Sequence, residues 1–242
     1  MIRAEGLTKS FGTNRVLRGL DFEAPKGSIT IIIGRSGGGK SVFLKHLIGL
    51  MRADAGKVLI DGVDITHMGG RALETVRRRY GVVFQSGALF DSLTCWDNVA
   101  FPLRETTKTP GSEIRKRVEA ALDQVELAGV GPKYPAEISG GMRKRVAIAR
   151  ALVIEPEIIF FDEPTTGLDP VLVNTIHQLI KTLHGQHRFT AVMVSHEIPE
   201  IFHIADRVAM LHEGRIVEEG PPAAIQASTN PVVRRFINGD PE

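Results

Sequence analysis

The chain has 242 residues, with 30 Lys and Arg against 28 Asp and Glu and a formal charge of +2. That length allows one or two domains with a core large enough to need no staple. A charged fraction of 24% beside a hydrophobic fraction of 43% excludes a disordered chain. The nearly balanced charge gives no electrostatic footprint for nucleic acid. One cysteine, Cys95, permits no internal disulfide and suits a reducing compartment. No apolar run approaches the ~18 residues of a membrane span. Residues 1–11 lack the apolar stretch of a secretory signal, so none is expected.

In chain order, Arg3–Leu7 and Val16–Phe22 read as strands around the turn-rich Phe11-Gly12-Thr13-Asn14. Asp61-Gly62, between Lys57–Ile60 and Val63–Ile65, is a short-range hairpin signal. Lys40–Leu50 reads as a helix. Ser112 is expected to cap a helix with the apolar stripe Ile114, Val118, Ala121, Leu122 and Val125. A second helix is expected from Gly141 to Val153, with Met142, Val146, Ala149 and Val153 on one face. The last third alternates strand 158–161, helix 171–183, strand 191–194, helix 198–205 and strand 208–211. Such alternation implies right-handed crossovers and a mainly parallel sheet.

Three runs, Ile29–Ile33, Ile158–Phe161 and Ala191–Val194, are almost wholly apolar, as strands buried on both faces are. Each is followed at once by polar residues. Ligands of open α/β sheets gather at the carboxyl ends of strands, so the three clusters are expected along one sheet edge.

The first cluster, Gly34-Arg35-Ser36-Gly37-Gly38-Gly39-Lys40-Ser41, fits G-x-x-x-x-G-K-[ST] between a strand and a helix. Its glycines let backbone N–H groups wrap an anion, and the following helix adds its positive end. Lys40 is expected at the β- and γ-phosphates of a nucleotide and the Ser41 hydroxyl on Mg²⁺. The second cluster is Asp162-Glu163. Asp162 is positioned to hold Mg²⁺, directly or through water, and Glu163 to accept a proton from water attacking the γ-phosphate. Pro164 stops the strand ladder. The third, Ser195-His196-Glu197, offers His196 as a partner of the γ-phosphate and the attacking water. Gln85, after the β-like Tyr80–Phe84, is a further candidate for Mg²⁺ or the water.

Ile138-Ser139-Gly140-Gly141-Met142, then Arg143-Lys144-Arg145, resembles the signature motif of ATP-binding cassette (ABC) ATPases. Ser139 stands 23 residues before Asp162, the family's order and spacing. The resemblance covers essentially the whole chain, from the phosphate loop through Gln85 and the Asp162-Glu163 pair to the D-loop Gly167-Leu168-Asp169 and His196. It implies an α/β P-loop NTPase with a RecA-like core, an N-terminal antiparallel β subdomain and an inserted α-helical subdomain. A single domain, 1–242, would comprise a core of 1–85 and 156–220, a helical signature region of 86–155 and a tail of 221–242. It further implies that Phe11, 29 residues before Lys40, stacks on adenine. Two chains would face head to tail, with Ser139, Gly140, Gly141 and Asp169 serving the nucleotide held by the other. Ser139 can cap the signature helix and leave N–H groups for an anion. The pattern departs at Met142, which replaces a glutamine and cannot donate a hydrogen bond, and at Thr166-Gly167, which replaces Ser-Ala.

Phe84–Thr94 and Asn98–Glu105, with the phosphate loop and signature, resemble the ATPase of Mla-type (MCE-linked) lipid transporters. That resemblance implies a permease pair, an MCE-domain lipid-binding protein and a place on the cytoplasmic face of the bacterial inner membrane. Leu89, Phe90, Leu93, Trp96, Val99 and Phe101, a loop-like stretch, read either as helical-subdomain core or as a groove for a permease helix. In the tail, a helix over Val232–Ile237 carries Arg234 and Arg235, a solvated pair or a contact to headgroups or a partner. Competing readings are the ATPase of an amino-acid, lipoprotein or other small-substrate transporter, a soluble ABC protein on ribosomes or DNA, and a nucleotide-gated scaffold. The absence of a second cassette or coiled-coil insertion weighs against ribosomes or DNA, and Glu163 weighs against the scaffold.

Overall fold

The computed structural model describes residues 1–240. In chain order the strands and helices are β1 (Ile2–Phe11), β2 (Asn14–Ala24), β3 (Ile29–Ile33), α1 (Lys40–Leu47), β4 (Ala55–Ile60), β5 (Val63–Asp64), α2 (Gly70–Arg77) and β6 (Tyr80–Val83). They continue with α3 (Cys95–Thr106), α4 (Gly111–Gln124), α5 (Gly140–Leu152), β7 (Ile158–Asp162), α6 (Pro170–His187) and β8 (Thr190–Ser195). The last are β9 (Arg207–His212), β10 (Arg215–Gly220), α7 (Pro222–Gln226) and α8 (Pro231–Asn238). The chain forms two compact units, one of residues 1–77 with 190 onward, the other of residues 78–189.

The first unit contains two groups of strands. One is an antiparallel sheet in the order β2-β1-β4-β5. Its β4–β5 hairpin turns at Asp61 and Gly62, with φ of 47° and 83°, the two positive values of a type I′ turn. In the other group β3 lies between β8 and β9, parallel to both, with β10 antiparallel beside β9. The β9–β10 hairpin turns at Glu213-Gly214, again with both φ positive. All five residues of β3 and all six of β8 are buried, so these apolar runs are covered on both faces. Gly214 ties the two groups together. Arg18 N–H donates to its carbonyl at 2.9 Å, and a Cβ at Gly214 would stand 2.5 Å from the Val16 oxygen. Phe43 of α1 is fully buried and meets Phe22 of β2 edge to face, centroids 5.2 Å apart.

Several sequence expectations need correction here. The helix after Ser41 ends at Leu47, not Leu50, because Gly49 turns left-handed (φ 74°). Leu50 N–H then donates to Lys45 O at 2.8 Å and Gly49 N–H to His46 O at 2.9 Å, a Schellman closure. The helix expected over 198–205 is only a 3₁₀ turn, Glu200–His203. Pro199 lacks an N–H and biases Ile198 away from helical backbone. The tail helix forms over Pro231–Asn238, capped by Asn230, whose side chain accepts from Val232 N–H at 3.0 Å.

In the second unit β6 and β7 pair in parallel, Val83 opposite Phe161. Helices α3, α4 and α5 pack on one another beside them. Every residue of β7 is buried. The stripe expected on α4 is the buried face, but Ser112 does not cap it. The N-cap is Pro110, with no side-chain bond, and Ser112 lies inside the first turn. The segment expected to be loop-like is half helix. Thr94 caps α3, accepting Asp97 N–H at 3.0 Å, and Cys95, Val99, Ala100 and Leu103 bury one face despite Pro102. Before α3, the buried Asn98 side chain fixes the turn, accepting Phe90 N–H at 2.8 Å and donating to the Phe90 and Thr94 carbonyls at 3.0 Å each.

Truncating Phe43 to Ala is expected to cost about 3–5 kcal/mol of unfolding free energy, and Phe43→Leu less, read from urea midpoints. Burial also holds the His46 imidazole of α1 below the ordinary histidine value, with Nδ1 donating to Val42 O at 2.7 Å. The unfolded chain therefore takes up this proton first. The contribution of neutral His46 is whole above about pH 6.5 and is lost as the pH falls below it. His46→Gln is expected to flatten that part of the stability–pH curve.

Candidate functional site

In the first unit the sharp end of β3 opens directly into the Gly34–Ser41 loop. Gly34 has φ 154°, and a Cβ there would lie 2.3 Å from the Leu211 carbonyl oxygen, so no other residue fits. Gly39, the N-cap of α1, has φ 94°. Its missing Cβ would stand 2.9 Å from Val16 Cγ1. The loop closes on itself through Gly38 N–H to Arg35 O at 3.0 Å and Phe43 N–H to Gly39 O at 2.8 Å.

Lys40 is buried, and its ammonium donates to the carbonyls of Gly34 at 2.8 Å and Arg35 at 3.0 Å. The rim of the loop, Arg35, Ser36 and Gly37, is exposed, with Gly38 and Ser41 partly so. This is a cradle with a cationic floor and an open mouth. Any side chain at Gly34 would deform it. The residues present thus fit a polyphosphate, whose oxygens would replace the carbonyls as ligands of the ammonium.

Two other candidates belong to the same unit. The parallel register sets Ile33 opposite Ser195, so Gly34 and His196 follow the carboxyl ends of neighbouring strands. His196 is exposed, in a turn where Ser195 Oγ accepts Glu197 N–H at 3.1 Å. Phe11 ends β1 opposite Asn14, is 48% exposed, and sits on the hairpin whose Val16 presses on Gly39. The aromatic ring and the phosphate cradle are thus built from abutting pieces.

In the second unit Gln85 and the carboxylate pair follow the carboxyl ends of paired β6 and β7. Asp162 is the last, buried residue of β7. Glu163 turns left-handed, φ 47°, a conformation that costs a non-glycine residue about 1–3 kcal/mol and gathers at functional sites. The turn breaks the strand's alternation, and the Thr166 hydroxyl donates to the Glu163 carboxylate at 3.1 Å.

Ser139 caps α5 as expected, its Oγ accepting Met142 N–H at 3.2 Å, with Gly140 and Gly141 opening the helix. Asp169 caps α6, accepting Val171 and Leu172 N–H at 3.0 Å each. This anchoring work of Asp169 was not part of the sequence reading.

Two further residues escaped that reading. The Lys144 ammonium donates to the Gln85 carbonyl. The Arg150 guanidinium donates to the carbonyls of Ala88 at 2.6 Å and Gly87 at 2.7 Å, and its burial lowers its basicity. The signature helix therefore grips the backbone just past β6. The sequence signal was the presence of Lys144 and Arg150 among the alanines and apolar residues of α5.

The ABC transporter sequence profile matches residues 17–166, more than half of the chain. The chain is 47% identical over 238 residues to the probable ribonucleotide transport ATP-binding protein mkl of Mycobacterium leprae, covering 98% of this chain and 69% of that protein. It is 41% identical over 228 residues to the intermembrane phospholipid transport system ATP-binding protein MlaF of Escherichia coli K12, covering 94% and 85%. Among solved structures it resembles the dimeric post-hydrolysis state of the ATP-binding cassette MJ0796 bound to ADP and Pi. The TM-score is 0.83 at 33% identity, covering 92% of this chain and 99% of that one. With the strand-loop-helix cradle of Gly34–Ser41, these similarities show that the chain belongs to the ABC transporter family, as an ATP-binding and ATP-hydrolysing cassette.

Proposed function

We propose that the chain hydrolyses ATP to drive phospholipid movement through a membrane permease, working as a head-to-tail homodimer on the cytoplasmic face of the bacterial inner membrane. The observation that carries the ATP chemistry is the Lys40 ammonium, held by the Gly34 and Arg35 carbonyls under an open glycine rim. The lipid substrate is supported by the likeness to MlaF, at 41% identity over nearly the whole chain. No helix among the described residues is long and apolar enough to cross a membrane. The permease pair supplies the membrane span in this reading, with an MCE-domain lipid-binding protein in the same assembly.

The residues divide the work. Arg35, Ser36, Gly37, Gly38 and Gly39 wrap the phosphates with backbone N–H groups, while Lys40 exchanges carbonyl ligands for phosphate oxygens. Ser41, Gln85 and Asp162 would each offer an oxygen to Mg²⁺, a hard cation that favours such ligands. When bound, Mg²⁺ neutralises charge that develops on the phosphates. Glu163 accepts the proton of the attacking water, from a backbone that turns left-handed directly after Asp162. His196 orients the water and the γ-phosphate. Ser139, Gly140, Gly141 and Asp169 act on the nucleotide of the facing chain, with Asp169 also holding the start of α6. Phe90 and Phe101, exposed and paired with ring centroids 4.8 Å apart and planes tilted by 49°, form the apolar contact for the permease. A second reading, nucleotide transport, is supported by the name of the 47% identical mycobacterial relative.

Glu163→Gln is expected to lower kcat by about 10²–10⁴-fold while ATP binding is kept, measured by phosphate release and nucleotide titration. Lys40→Ala is expected to abolish tight ATP binding. Turnover at the wild-type rate in either variant would overturn the role assigned. Purification of the tagged protein from its native membranes in mild detergent tests the substrate. Recovery of a multi-span permease with an MCE-domain protein supports lipid transport. A permease with a solute-binding protein keeps the motor and overturns the lipid.

A further inference from the structure

Just before Phe11 one antiparallel ladder ends and the other shifts register. The β1–β4 pairing stops at Thr8 opposite Ala55. The β1–β2 register slips between Lys9, opposite Leu17, and Ser10, opposite Arg15. Irregularities of this kind re-aim the side chains that follow them, and something must hold the freed backbone. Asp54, the residue before β4, does so with three groups. Its N–H donates to Thr8 O at 2.9 Å. Its carboxylate accepts Ser10 N–H at 2.6 Å and the Lys9 ammonium at 2.8 Å. Lys9 in turn stands 5.6 Å from the centroid of the Phe11 ring, within cation–π range. Three consecutive residues are thus fixed from one aspartate, Thr8 by its N–H and Lys9 and Ser10 by its carboxylate, and the ring is reached through Lys9.

We propose that Asp54, acting through Lys9 and Ser10, is the positioning residue that holds Phe11 in place for the adenine ring, and so sets affinity for ATP rather than the rate of hydrolysis. The inference rests on the reading of Phe11 as the adenine platform. Asp54 is well suited to register that platform against the phosphate cradle. Only six residues separate it from the end of α1, the helix that begins with Lys40 and Ser41. The buried His46 of α1 feels the charge of both Lys9 and Asp54. The bond from Lys9, followed by that from Ser10, keeps the Asp54 carboxyl below the ordinary carboxylate range, so the clamp is charged at neutral pH. Lys9 is largely covered while nearly half of Phe11 is open, so the ring is held without being hidden.

The full-length chain would be titrated with a methylanthraniloyl ATP by fluorescence, and kcat and KM measured for ATP, with thermal unfolding followed in parallel. Stacking of a base on an aromatic ring is worth ~1–3 kcal/mol, so Phe11→Ala is expected to weaken binding by about ten- to a hundredfold. Asp54→Ala and Lys9→Met are expected to raise Kd and KM by about three- to tenfold, a part of that stacking term, with kcat within about twofold of wild type. Lys9→Arg, which keeps the cation, is expected to restore binding. In the Phe11→Ala background, Asp54→Ala is expected to add nothing.

Unchanged binding in Phe11→Ala would overturn the adenine reading itself. Weakened binding there, with wild-type Kd in Asp54→Ala and Lys9→Met, would overturn the clamp alone. Full additivity of Phe11→Ala and Asp54→Ala would overturn action through the ring. Should Asp54→Ala fail to fold, Lys9→Met and Lys9→Arg decide the question.

Discussion

A buried ammonium must be surrounded by oxygen, and Lys40 meets that demand with main-chain carbonyls of its own loop. Much of the first unit follows from this. For the Gly34 carbonyl to serve as a ligand, the chain must leave β3 at an angle that puts Gly34 against the Leu211 carbonyl, with no room for a side chain. For α1 to begin at Lys40, Gly39 must turn left-handed against Val16, which fixes the β1–β2 hairpin beside the loop. Phe43, three residues on, then locks the helix to Phe22 of the same hairpin. The cradle is held from below by the parallel strands and from the side by the antiparallel ones.

Carbonyl dipoles suit a site that must open to a stronger ligand. A carbonyl oxygen binds an ammonium less strongly than an anionic phosphate oxygen does, so the two bonds from Lys40 can be exchanged for bonds to a polyphosphate. The exposed rim of Arg35, Ser36 and Gly37 leaves the way in clear. In the second unit the same logic is inverted. There Asp162 ends a buried strand, and Glu163 accepts a strained backbone that turns it out of line with its neighbour. Two carboxylates adjacent in sequence thus stand at one strand end on backbone of different conformation.

The parts legible in the sequence were those set by local chemistry. Ile29–Ile33 and the glycine-rich loop announced a buried strand and an anion cradle. Asp61-Gly62 announced its hairpin, and Ser139 its helix cap. The features that escaped depend on distant partners or on residues with ambiguous preference. Glu213-Gly214 is a poor hairpin signal, yet Gly214 forms one because Val16 and Arg18 approach it closely. The helix over Cys95–Thr106 was obscured by Pro102 and by aromatics that read as loop, and its buried face and the Asn98 bonds override both. Pro199 cut short a helix that the apolar residues after it suggested. Among site residues, motif matching found those with chemistry of their own. It passed over Asp54, Lys144 and Arg150, which act by holding backbone.

The hold of α5 on the stretch past β6 has an evolutionary consequence. Lys144 and Arg150 bind the main-chain oxygens of Gln85, Gly87 and Ala88. A grip on carbonyls is indifferent to which residue supplies them. The helix's purchase on the loop therefore does not depend on the side chains it passes, while Gly87, buried at φ 77°, is held to glycine by its own backbone. Exposed neighbours such as Ser86 and Phe90 can then vary while the mechanical linkage stays as it is.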